Sequence, residues 1–173
     1  RYPGGAVAVT PVIDRLAEMS SSAGITAITD DKALELIAQK YRTASDTTPP
    51  GEFFAMDHVN AVGGADVLVL DAASGDELSI FMAAQFLSKQ GRRSPKIITV
   101  HDSHLSSLKI YQNLQSWGLP MPDRICAMDA AQKKIIADAF PELESRIEVT
   151  GQPAFDVTPE KKLETRKRVR EEL

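Results

Sequence analysis

One pattern recurs along this chain and leaves few folds open to it. A short apolar run closes on polar residues, and a longer stretch with helical periodicity follows. The runs are 65–71 (ADVLVLD), 96–102 (KIITVHD), 123–129 (DRICAMD) and 146–151 (RIEVTG), with 24–29 (GITAIT) as an earlier member. At this length each is a strand, and apolar residues at consecutive positions mark strands covered on both faces. The intervening stretches 78–91 (LSIFMAAQFLSKQG), 103–117 and 130–140 (AAQKKIIADAF) read as helices, as does 31–41 behind a cap at Asp30 or Asp31. Segment 44–52, with Pro49-Pro50-Gly51, reads as loop, and 53–62 as a short helix or turn. Strand, helix and strand in alternation give right-handed crossovers. The expected fold is α/β, a doubly wound, mostly parallel, Rossmann-like sheet with helices on both faces.

Composition narrows the function classes. The 173 residues are 43% hydrophobic and 25% charged, enough for one domain with a real core. A net charge of -4 and no concentrated basic face argue against a nucleic-acid partner. The one dense basic run, 161–170 (KKLETRKRVR), is interleaved with Glu and reads as a solvated helix face. The single cysteine, Cys126, cannot form an internal disulfide and is expected in the core. No run approaches membrane-spanning length and no leader pattern opens the chain, so a cytoplasmic protein is expected. Both ends read as cut. Gly4-Gly5 leads into a helical pattern with no strand before it, and 160–173 is a helix without a following partner.

In an open parallel sheet, ligands bind at the C-terminal edge of the strands. The residues there are Asp71 and Ser74, His101 and Asp102 with His104, Asp129, and Gly151 with Gln152. Part of this polarity is generic, because strand-to-helix loops need N-caps; Asp71 and Asp129 fit that role. The run His101-Asp102-Ser103-His104 has three readings. As a metal site it lacks a fourth ligand and the helical His spacing of zinc hydrolases. As an acid/base group for a sugar hydroxyl, its imidazole titrates in the right range. It also serves as plain capping and packing. Gly4 and Gly5 allow close backbone approach to a ligand, but match neither G-x-x-x-x-G-K-[ST] nor G-x-G-x-x-G. Neither a metal nor a cofactor is expected.

Together these segments resemble the N-terminal half of the two-Rossmann-domain (GT-B) glycosyltransferases and of the related UDP-N-acetylglucosamine 2-epimerases. PGGAVAVTPVIDRL resembles the first loop and helix. ADVLVLD and KIITVHDSHLSS resemble the strand ends that face the interdomain cleft. PDRICAMDAAQKKII resembles the late strand and helix, and RIEVTGQPAFD the exit toward the linker. The resemblance implies an acceptor-side domain over 1–156 and a linker helix over 157–173 that leads to a second domain. It implies a nucleotide-sugar donor held mainly by that second domain, and a sugar or lipid-linked acceptor. His101 or Asp102 would be the catalytic base; Gly4, Gly5, Asp71, Ser74, His104, Gly151 and Gln152 would contact substrate. Where the epimerases carry His-x-Glu-Ala-Gly this chain has HDSHL, a departure that favours transferase. The alternatives are an epimerase half and a noncatalytic α/β binding domain.

Overall fold

The computed structural model describes residues 12, 15, 18, 26–29, 42–45, 56–72, 77–101 and 108–151. Two parallel sheets are present among them. In the first, β1 (Thr26–Thr29) pairs with β2 (Arg42–Ser45), Thr26 beside Arg42 and Thr29 beside Ser45. The second is four-stranded and takes its strands in chain order: β3 (Val67–Asp71), β4 (Lys96–Val100), β5 (Arg124–Ala127) and β6 (Ile147–Val149). Strand β2 corrects the loop expected from Ala44. Ala44 and Ser45 are extended and paired with Ile28 and Thr29; the rest of the expected loop lies outside the described residues.

Helix α1 (Met56–Gly63) precedes β3, and α2 (Leu78–Lys89), α3 (Lys109–Ser116) and α4 (Ala130–Ala139) each connect successive strands of the larger sheet. A 3-10 segment, Pro141–Arg146, leads from α4 into β6. Helix α2 stops two residues short of Gly91 for a local reason. Gly91 takes φ 70°, its N–H donates to the Ser88 carbonyl at 3.0 Å, and the Arg92 N–H reaches back to Leu87 at 3.1 Å. This pair of reversed bonds satisfies the last free carbonyls and requires a left-handed residue, which glycine supplies without strain.

Alternation along the strands sorts their side chains to two faces. Leu68 and Leu70, Ile97 and Thr99, Ile125 and Ala127, and Ile147 share one face by register, and all are buried. Their apolar members join Val59 and Val62 of α1, Phe81, Ala84 and Leu87 of α2, Ile110, Tyr111 and Leu114 of α3, and Ile136 of α4 in a single cluster. Each fully buried Leu, Ile or Phe contributes about 1.5–3 kcal/mol, so among the described residues this interface is the main source of stability. The other face differs. Val100 is buried there, but Val69, Ile98 and Cys126 are only half-buried and Val67 is 50% exposed. An α/β fold with an all-parallel sheet is therefore present. The helical layer seen among the described residues serves one face.

Candidate ligand-binding rim

Because β3 to β6 are parallel, their C-terminal ends share one rim. The ladder continues one residue beyond β3, β4 and β6. The Ala72 N–H donates to Val100 at 3.0 Å, His101 to Cys126 at 3.1 Å, and Thr150 to Ala127 at 3.0 Å. Asp71, His101, Asp129 and Gly151 thus lie at the same end of one sheet, as the strand pattern anticipates. For Asp71 this holds for the backbone only. Gly4, Gly5, Ser74, Asp102, His104 and Gln152 lie outside the described residues, as does the proposed linker helix over 157–173.

Next to β5 the rim is organised by a cap. The Asp129 backbone is extended, with φ -159°, and its carboxylate accepts the Gln132 N–H at 2.8 Å. The Gln132 side chain, fully buried, turns back to accept the Met128 N–H at 2.7 Å. Two amides at the start of α4 are satisfied by side chains three residues apart, a variant of the capping box. Asp129 therefore has the capping role anticipated for it. Next to β6, Gly151 takes φ 82°, one residue after the last ladder bond. A β-carbon there would meet nothing within 4 Å, so what requires glycine is its left-handed backbone just past the last strand.

His101 is the chemically richest residue of the rim, and it is buried: 1% of it is exposed. Thr99 and His101, two apart on one strand, point to the helix-covered face, where α3 brings Tyr111 against both. The His101 Nε2 lies 2.6 Å from the Tyr111 hydroxyl, which is 3.2 Å from Thr99 Oγ1. The two rings are tilted by 52° with centroids 5.7 Å apart, and Phe140 packs edge-on against Tyr111 from the other side. Burial pushes the Tyr111 phenol above its ordinary range; the Thr99 hydrogen bond opposes this and the nearby Cys126 thiol adds to it. Tyr111 is thus a neutral phenol throughout the physiological range.

Cys126 lies beneath the rim on the opposite face. It is half-buried, where a fully buried core thiol was expected. Burial raises its pKa, the Thr150 hydroxyl lowers it, and Glu148 raises it, for a net increase. A thiol held protonated is a poor nucleophile. Among the described residues no three His, Cys, Asp or Glu side chains cluster as metal ligands, and no helix is long and apolar enough to cross a membrane.

A cavity of about 260 Å³ lies at the other end of the sheet, between α2 and the loops that enter β4 and β5. Its walls include Gln85, Ser88, Ser94 and Leu119. It is far from the strand ends where parallel sheets hold ligands, and the Gln85 side chain is bound across it to the Gly118 carbonyl at 2.6 Å. We read it as a packing gap between a helix and two loops.

Thr99 and Tyr111 were not anticipated as site residues. The signal for Thr99 was present: a hydroxyl at an inward strand position, two before a histidine, needs a buried partner. Nothing in the sequence identified Tyr111 as that partner, because it is a contact between strand and helix. No protein family, curated protein or solved structure matches the chain.

Proposed function

We propose that the rim formed by β3 to β6 is the acceptor side of a nucleotide-sugar-dependent glycosyltransferase of the two-domain type. In this reading the sheet is the Rossmann-like, doubly wound N-terminal half, and a second α/β half in the full reading frame carries most of the donor. The observation that supports the reading is the convergence of four parallel strand ends, bearing Asp71, His101, Asp129 and Gly151, on one edge. Transfer needs a group that takes the acceptor hydroxyl proton as its oxygen attacks the anomeric carbon. His101 and Asp102 are the candidates from the resemblance. Gly4, Gly5, Ser74, His104 and Gln152 are proposed to line the substrate side.

The test is incubation of the full-length protein with UDP-sugars and a panel of sugar and lipid-linked acceptors. Free UDP with sugar on the acceptor is the expected result. A 2-epimer or glycal would assign the epimerase reading instead, and no turnover with any donor would leave a binding domain. The 173-residue chain alone should bind UDP-sugars more weakly than micromolar, since the donor site belongs to the other half. In the full-length protein, His101→Ala should reduce turnover by more than its effect on melting explains; equal losses would return His101 to a packing role.

A further inference from the structure

We propose that Tyr111 is a positioning residue that fixes the tautomer of His101, donating its O–H to Nε2 and so placing the ring's own proton on Nδ1. The distance favours that direction. At 2.6 Å the contact is shorter than the range over which N–H donors meet oxygen, about 2.7–3.2 Å, and lies within the range of O–H donors, about 2.5–3.0 Å. The chemistry agrees. A neutral phenol is a good donor and a weak acceptor, whereas a bare imidazole nitrogen is a strong acceptor. Tyr111 stays protonated because its surroundings oppose the phenolate. The phenol oxygen then accepts from the Thr99 hydroxyl at 3.2 Å, so the three groups form one directed chain, Thr99 to Tyr111 to His101. A neutral imidazole has one donor and one acceptor nitrogen; with Nε2 accepting, Nδ1 is the donor.

The consequence for function rests on the proposed reading of the rim as a ligand site. In this tautomer His101 presents no lone pair at Nδ1, so of the two candidate bases of the proposed transfer Asp102 remains. The Nδ1–H tautomer itself rests only on the buried contact, and it can be tested without any ligand.

The experiment is a long-range proton–nitrogen correlation spectrum of the uniformly 15N-labelled chain at neutral pH. The chain has three histidines, and single substitutions of His58 and His104 assign the His101 signals. The expected spectrum has Nδ1 in the protonated, pyrrole-like range and Nε2 in the pyridine-like range. In Tyr111→Phe the pattern should move toward the Nε2–H form or an average of the two, while Thr99→Val should keep the wild-type pattern. A protonated Nε2 in the wild type would overturn the proposal, as would an unchanged tautomer in a folded Tyr111→Phe. The wild-type spectrum decides the matter even where that variant does not fold. A correct tautomer in a protein that turns over no nucleotide sugar would keep this inference and discard the transferase.

Discussion

The two ends of β4 solve the same problem with opposite means. At its N-terminal end, the Asp123 carboxylate holds the strand in place, accepting the Ile97 N–H at 2.9 Å and the Lys96 ammonium at 2.7 Å. These groups are open to water; the Lys96 side chain is 73% exposed. At the C-terminal end, Thr99, Tyr111 and the Nε2 of His101 are joined by hydrogen bonds with almost no exposure. The wet end can lose a partner and let water replace it. The dry end cannot, since an orphaned buried polar group pays its full desolvation. Polarity placed under a rim, where it is costly to maintain, is the better marker of a site than polarity at the surface.

The comparison breaks most visibly at Tyr111. Replacement by Ala removes a fully buried ring and orphans two polar groups, and should destabilise the chain by about 3–5 kcal/mol in urea denaturation. A loss below about 1 kcal/mol would mean that the dry end is not packed as described. Next comes Asp129→Ala, which removes the α4 cap beside the rim; about 1 kcal/mol should be lost, with Asp129→Asn retaining most of it.

The wet end should give the smallest effect. Asp123→Asn should cost about 1 kcal/mol or less, because an exposed ion pair is screened and one backbone bond survives. Its pH dependence has a definite sign. Burial alone would raise the Asp123 pKa, but the Lys96 and Ile97 hydrogen bonds and the charges of Lys96 and Arg146 outweigh it, and the net shift is downward. A carboxyl whose folded pKa lies below its unfolded value stabilises the fold above the unfolded value, and this contribution is lost as pH falls through the folded one. Wild type and Asp123→Asn should therefore differ most near neutrality and converge in acid. High salt should shrink the difference, while leaving the Tyr111→Ala deficit in place. Equal salt sensitivity at both positions would erase the contrast between the two ends.

Much of the larger sheet was legible because its signals are local. The runs at 65–71, 96–102 and 123–129 are short, apolar and bounded by turn residues, and each contains an observed strand. Asp129 was legible as a cap from its place before Ala130. Strand β2 was not, since Arg42-Thr43-Ala44-Ser45 has neither alternation nor an apolar run, and only its pairing with β1 makes it a strand. The expected helical cover on both faces was drawn from continuous hydrophobicity. Val100 is buried on the second face, Val69 and Ile98 are partly buried and Val67 is 50% exposed, so the described helices account for cover on one face only.

From its own order of residues, this chain determined that strands and helices alternate, where each stops, and that polar residues follow the strand ends. Those are properties of nearest neighbours and of periods of two and 3.6, which any stretch of chain carries with it. Tertiary structure alone decided that His101 is dry, that Tyr111 holds its Nε2, and that Thr99 completes the chain. These contacts join residues 10 and 12 apart across a strand and a helix, and they exist only once α3 has packed and water has been excluded.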